Sequence, residues 1–474
     1  MKNLSHCDTH KKWEFMIEIQ KERKYKKSIF VFRRDLRLED NLGLYLALKN
    51  SEKVIPVFIY DEKLSKNLKK SEFRWNFLKE SLVDLDLHLK KKKSHLAVYE
   101  GNPTKITKQI ILEENIKSVF SNTDFSNYSK KRDSEVNKIC RENNVDFNCS
   151  LDFLLHNPNE IKTDKGKPYT IYSHFVKKAR QFPVRKILKN THRNYFSKSQ
   201  DENKIKSIKI NKGQFLGGRN AALEILNNLK EFKNYKNQRD YPFLNQTTKL
   251  SAHNKFGTVS IREVLQALKN NLGKDHILIN QIYWREFYHH ILYHFPYSKN
   301  QSFKEKYGKI RWSKSHELFN AWCKGMTGFP IVDAGMRELT QTGFMHNRVR
   351  MIVASFLTKD LHIDWRWGEK FFAEKLIDYD PAVNAGNWQW SASTGCDAVP
   401  YFRIFNPWRQ QEQFDPKCEY VKKWIPELRD FSPNEIHKLW EKTPKNCKYP
   451  MPIIDHKTES DKSKKIFKKI LSDG

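Results

Sequence analysis

Short apolar runs alternate with amphipathic stretches over residues 28–155. Runs at 29–32, 54–60, 96–99 and 118–120 read as buried strands, and 71–89 and 130–143 carry apolar positions at helical spacing. Repeated strand–helix–strand units predict a parallel sheet covered by helices. No Gly-x-Gly-x-x-Gly follows the first run, so the standard dinucleotide fingerprint is absent and this half reads equally well as a scaffold. Residues 190–212 are charged and poor in apolar positions, which marks a connection. Beyond it, 221–229, 261–270, 281–293, 332–340, 349–359 and 367–376 all show helical spacing and strand-like alternation is scarce. The expected fold class is therefore α/β plus all-α. A polar extension (1–27) precedes an N-terminal parallel-sheet, Rossmann-like domain (28–155), and a linker (156–215) leads to a C-terminal helical domain (216–474). The longest apolar stretch, 54–60, is too short to cross a bilayer, and 1–27 lacks the apolar centre of a secretory leader.

Charge changes the picture more than length does. Lys and Arg number 87 against 55 Asp and Glu, a formal net charge of +32, which suits a polyanionic partner: DNA, RNA or an anionic membrane. Scattered lysine runs such as 90–93 and 462–465 read equally well as solvated surface. Seven cysteines, an odd number with no Cys-x-x-Cys spacing, suggest neither a disulfide framework nor a zinc site, and a reducing cytosol is the expected location. Twelve tryptophans fall almost entirely in the second half, where they can pack, stack on a base or pass an electron.

Five segments carry candidate chemistry. The first run is followed by Phe32-Arg33-Arg34-Asp35-Leu36-Arg37-Leu38-Glu39-Asp40-Asn41, which alone reads as a basic strand exit with surface ion pairs. Thr247-Thr248-Lys249-Leu250-Ser251, preceded by Tyr235 and Arg239, offers hydroxyls and amides that can hold a phosphate. Gln281, Trp284 and Tyr288 share one helical face, with Arg285 beside them; the stripe bears an amide, an indole and a phenol where a core seam would be apolar. Asn347 and Met351 share another face, with Arg350 rotated away; alone they read as a capping Asn and a core Met. Most specific is Asp378-Tyr379-Asp380-Pro381-Ala382-Val383-Asn384-Ala385-Gly386-Asn387-Trp388-Gln389-Trp390. Two acids, three amides and two Trp close the segment around a flat, polar, aromatic ligand better than around a core.

With these segments in this order, and with Tyr449-Pro450-Met451-Pro452-Ile453-Ile454-Asp455-His456 closing the match, the chain from 28 to 456 resembles the photolyase/cryptochrome family, specifically bacterial enzymes acting on cyclobutane pyrimidine dimers. The resemblance implies a helical domain that buries FAD and an α/β domain that can hold an antenna pigment. By position Tyr235, Thr247, Thr248, Lys249, Leu250 and Ser251 fall on the phosphate and adenine side of the flavin. Asp378, Tyr379, Asp380, Asn384, Arg350 and Asn347 fall on its isoalloxazine side, Arg350 as partner of Asp378 and Asn384 facing N5. Trp388, Trp365 and Trp312, from the flavin outward, match the chain of tryptophans that passes electrons to it. Trp284 and Trp390 would flank a flipped-out dimer, with Gln281, Asn347, Met351 and Tyr288 at its polar edges and Arg239 and Arg285 toward the phosphates.

The implied activity is light-driven repair of damaged DNA, in which reduced FAD donates an electron to the dimer and recovers it after the ring opens. A cryptochrome-type photoreceptor and a (6-4) photolyase are the alternatives. The chain ends 18 residues past His456, short for a signalling tail. Gln281 stands where dimer enzymes carry Glu and (6-4) enzymes Gln. However, Asn347 and Met351 stand where (6-4) chemistry needs two proton-shuttling His, and neither can shuttle a proton at neutral pH. The antenna stays open between a reduced folate, a deazaflavin and none, since Phe125–Ser129 lacks an acid and Ser298 replaces a Cys. A monomer bound to damaged DNA, with no membrane and no metal, is expected.

Overall fold

The computed structural model describes residues 23–198, 208, 215–442 and 444–472. Five parallel strands form one sheet in the order β3-β2-β1-β4-β5: β1 (Tyr25–Phe32), β2 (Ser51–Asp61), β3 (Ala97–Gly101), β4 (Ser118–Asn122) and β5 (Asp146–Ser150). Register pairs Ile29 with Ile55 and with Val119. The period-2 alternation divides two cores. Ile29, Val31, Ile55, Val57 and Val119 face helices α3 (Pro103–Glu114) and α4 (Asn127–Glu142), while Phe30, Phe32, Phe58 and Phe120 face α1 (Leu42–Asn50) and α2 (Glu72–Lys90).

Two boundaries differ from the expectation. β1 opens at Tyr25, inside the stretch read as extension, most of which lies outside the described residues. β5, Asp-Phe-Asn-Cys-Ser, gave no signal because an edge strand half open to solvent needs no apolar run.

The stretch read as a linker carries structure in its described residues. Residues 172–179 form helix α5 (Tyr172–Ala179), and further on Val54 and Phe196 trade hydrogen bonds with the returning chain: Val54 N–H donates to Asn194 at 3.0 Å and Phe196 N–H to Val54 at 2.8 Å. The helical half then runs α6 (Arg219–Asn227), α7 (Ile261–Leu272), α8 (Ile277–His294), α9 (Pro330–Thr342), α10 (Asn347–Ser355), α11 (Trp365–Lys375), α12 (Pro381–Ser391) and, after shorter turns, α13 (His456–Ser472). Start signals agree with the sequence: a Ser260–Glu263 capping box opens α7, and Asp380 followed by Pro381 opens α12.

The Phe32–Asn41 segment is where structure overrides the bland reading. Arg37, Asp35, Asp40 and Asn41 are all buried. Arg37 pairs with Asp152 and donates to Gly257 O at 3.0 Å; Arg262, from α7, donates to Asp40 at 2.7 Å and Asp152 at 2.9 Å. These are ion pairs of the seam between the two halves, not surface pairs. Arg185, from the segment between the halves, adds a third guanidinium, 2.9 Å from Asp40 and 3.6 Å from Asp152, so the two carboxylates are met from the sheet, the connection and the helical half together.

Candidate active site

The loop between α11 and α12 is pinned at both ends. Arg350 of α10 donates through both terminal nitrogens to Asp378, at 3.2 and 3.0 Å, while its Nε is committed to Met345 O at 2.7 Å. A fork so held has one orientation. Two residues on, Asp380 caps α12, accepting from Ala382 N–H at 3.0 Å. Its other oxygen takes Arg34 at 2.5 Å and faces His289 Nε2 at 3.3 Å. Burial alone would raise the Asp380 carboxyl, but the facing His289 and Arg34 hold it well below the usual carboxylate range. Arg34 comes from the end of β1 and also meets Asp124 at 3.4 Å, after β4, so the sheet's carboxyl edge closes onto this loop.

Asn384, one turn into α12, is buried and donates to Glu369 O and Oε1 at 3.1 and 3.0 Å; Tyr379 reaches the same carboxylate at 3.3 Å. Burial raises Glu369 above the ordinary range. Farther along α12 the Trp-Gln-Trp centre divides by helical geometry. Trp388 turns into the core, 5.0 Å from Phe372 and 6.1 Å from Trp322 between ring centres, and Gly368 leaves it room, since a Cβ there would lie 2.1 Å from the indole. Gln389 is structural: it binds the Ser298 and Gln301 carbonyls and accepts from Phe303 N–H at 2.8 Å. Trp390 stays half-buried on the other side. Trp365 is fully buried in the same apolar cluster as Trp388, and Trp312 lies half-buried at its rim, where the cluster meets Phe467 of α13.

The turn 247–251 leads into the short helix Ser251–Phe256, with Lys249 in the left-handed region at φ 53° and Leu250 buried. Thr247 and Lys249 line a cavity of about 210 Å³ with His346, Glu338, Phe344 and Phe243. Burial lowers the Lys249 ammonium below its ordinary range. Around this turn Gln246 Oε1, Asn254 Oδ1 and His346 Nε2 are buried without a hydrogen-bond partner, and native interiors rarely leave such atoms unmet. Tyr235 is buried nearby, with the Arg239 guanidinium 6.0 Å from its ring and 3.8 Å from Asp240.

On α8, Gln281 is exposed, Trp284 half-buried and Tyr288 buried with its hydroxyl 3.3 Å from Asn387. Arg285 corrects the reading of a phosphate contact. It turns inward, donating to Phe153 O at 2.9 Å and Asn254 O at 3.4 Å, and burial brings it down to about 10. Its position lies on the domain seam, where unpaired carbonyls need a donor. On α10 the cap is His346, which accepts from Arg348 N–H at 3.2 Å. Asn347 is therefore no cap; it is exposed, its amide 3.8 Å from the Met351 sulfur.

Sequence reasoning missed Glu369, His289 and the pairing of Arg34 with Asp380. Glu369 sits amid helical spacing and His289 in an apolar run, so neither stood out.

An anchored acidic loop, a buried tryptophan behind it and a polar turn with unmet donors and acceptors suit a dinucleotide cofactor with an aromatic end. Residues 28–191 match the family model described as DNA photolyase, and residues 278–469 the one described as the FAD binding domain of DNA photolyase. The chain belongs to the DNA photolyase family. It is 37% identical to the deoxyribodipyrimidine photo-lyase of Buchnera aphidicola subsp. Acyrthosiphon pisum over 93% of this chain and 97% of that one. The Escherichia coli enzyme of the same name is 35% identical, over 90% and 95%. Among solved structures, a bacterial class III photolyase from Agrobacterium tumefaciens superposes with a TM-score of 0.84 at 33% identity, covering 96% of this chain and 99% of that one. An archaeal photolyase from Sulfolobus tokodaii, solved with two FAD molecules, gives 0.84 at 38% identity, covering 94% and 100%. The unmet polar atoms around the 246–254 turn offer the acceptors and donor that the cofactor of this photolyase domain can meet. No helix among the described residues is long and apolar enough to cross a membrane.

Proposed function

We propose that this photolyase-family protein repairs cyclobutane pyrimidine dimers in DNA under near-ultraviolet or blue light. The observation that carries the reading is the loop 378–384, fixed to α10 through Arg350 and Asp378 and backed by the buried Trp388. When bound, FAD supplies light absorption and one-electron chemistry. The protein's part is placement and electrostatics. Thr247, Thr248, Lys249, Leu250, Ser251 and Tyr235 hold the phosphate and adenine side. Asp378, Tyr379, Asp380, Asn384 and Arg350 would hold the ring end, with the Asn384 side chain fixed in place by its two bonds to Glu369. Trp388, Trp365 and Trp312 form the route by which electrons arrive from solvent.

On the DNA side the net charge of +32 draws the duplex in. Trp284 and Trp390 flank the extruded dimer, Gln281, Asn347, Met351 and Tyr288 meet its edges, and Arg239 serves the phosphates. Arg285 acts in the domain seam instead. The protein works as a monomer in the cytosol, and a second chromophore, a reduced folate among the candidates, remains an addition to this scheme. A repair assay tests it: flavin-loaded protein, DNA carrying cyclobutane thymine dimers, and blue light restore intact thymines, with no change in the dark. Absence of restoration in the light refutes the proposal.

A further inference from the structure

We infer that Tyr172 is a positioning residue for lesion recognition: it backs Trp284 so that the indole presents one fixed, open face to an extruded pyrimidine. The inference rests on the reading of Trp284 given above. Tyr172 belongs to α5, in the segment whose sequence suggests only a connection. Its ring lies parallel to the Trp284 indole, 3.6 Å between centres and 5° between planes. Phe287 meets the indole at 81° and Tyr288 at 32°, each 5.8 Å away, so among the described residues no second ring lies flat on it. Trp284 remains half-buried, with surface left for a ligand.

Tyr172 is held as a fixed part and not as a mobile cap. Its hydroxyl donates to Asn280 O at 2.9 Å, at the head of the turn that carries Gln281, and its N–H donates to Asp397 at 3.0 Å. Its ring edge rests on the buried Phe287, 5.9 Å away at 77°. Arg180, at the end of α5, donates to the Asn280 side chain at 2.8 Å and lies over Tyr283 at 5.4 Å, locking α5 to the same turn. An indole so clamped loses little rotational freedom when a base stacks on it, and binding is tighter for that pre-organisation. The bound state is then a three-layer stack of phenol, indole and pyrimidine.

The experiment measures dark binding of flavin-loaded, full-length protein to a duplex with one cyclobutane thymine dimer and to the undamaged duplex. Tyr172→Leu weakens lesion binding about twofold to tenfold, the span of one aromatic pair. Flavin content and binding to undamaged DNA stay at wild-type values. Tyr172→Phe, which keeps the ring, restores most of the affinity. In a Trp284→Leu background Tyr172→Leu costs nothing further, which a general packing role would not produce. Should the leucine protein fail to accumulate, Tyr172→Met removes the ring face at similar volume and is read the same way. Wild-type lesion affinity in the Leu or Met variant, or losses that add with Trp284→Leu, overturns the inference. Equal affinity of the wild type for damaged and undamaged duplex overturns instead the function on which it rests.

Discussion

Replacing Asp378 by Asn tests whether the loop between α11 and α12 is what holds the flavin-binding groups in place. The Asp378 side chain is 5% exposed and both its oxygens accept from Arg350, whose third nitrogen is already committed to Met345 O. Asn removes the charge and sets an NH₂ against a guanidinium, so at least one of the two bonds is lost. Breaking a fully buried pair costs about 3–5 kcal/mol. The Arg350 side chain is 24% exposed and recovers some hydration, so about 2–3 kcal/mol is the figure for this pair. If the cost falls on the flavin-competent loop, FAD affinity drops by a factor of about 30–150, read by titrating apoprotein with FAD. The melting temperature of the apoprotein then falls by less than about 2–3 °C, the shift the same energy would give if it fell on global stability instead. Combining Asp378→Leu with Arg350→Leu should cost less than the sum of the two single changes, since no charge is then left alone. Wild-type FAD affinity in Asp378→Asn would refute the reasoning, as would strict additivity in the pair.

Trp388→Phe should abolish light-driven reduction of oxidised flavin in purified protein and leave repair intact when the flavin is reduced chemically; an unchanged photoreduction rate excludes Trp388 as first donor. Gln281→Glu should raise dimer affinity or repair yield modestly, by up to about tenfold, because it adds a charge-assisted hydrogen bond to the thymine edge. Repair of (6-4) photoproducts should be undetectable, with Asn347 and Met351 unable to move a proton, and (6-4) repair without cyclobutane repair would contradict the substrate. Asp124 bears on acid stability: burial would raise its carboxyl, but Arg34 and Lys255 bring it down to about 2. Its contribution, at most about 2 kcal/mol, is therefore complete above pH 4 and lost as pH falls toward 2. Asp124→Asn should flatten that part of the acid-unfolding curve, and identical curves would remove Asp124 from the account.

What the sequence made legible followed from period. The inner strands β1, β2 and β4 are sheathed on both sides, so their apolar runs announced them, and the stretches that showed helical spacing, such as 71–89 and 261–270, fall on helices to within a few residues, whereas α1, α3 and α13 gave no such reading. β5 was illegible because an edge strand does not need such a run. The helix α5 was lost inside a polar stretch whose few apolar positions, Phe175 and Ala179 among them, are buried but too sparse to set a rhythm. At the site, residues that make an odd core were visible one by one: Asp378, Asp380, Asn384 and the Trp-Gln-Trp centre. Their supports were not. Glu369 and Arg34 lie far from Asn384 and Asp380 in sequence, and only the fold brings them together. Arg285 misled because a basic residue in a positive chain reads as surface, whereas here it answers carbonyls in the seam.

That seam has a consequence for how this protein can be taken apart. Arg37, Arg262, Asp40 and Asp152 share one buried lattice of charge drawn from both halves. Cutting the chain between Asp152 and Arg185 would leave Asp40 and Asp152 with Arg37 alone on one side, and Arg185 and Arg262 without these carboxylates on the other. Separating the two halves therefore strands charge that the intact chain keeps buried and paired. A chimera that joins the sheet of one family member to the helices of another keeps this lattice only if both sides carry it.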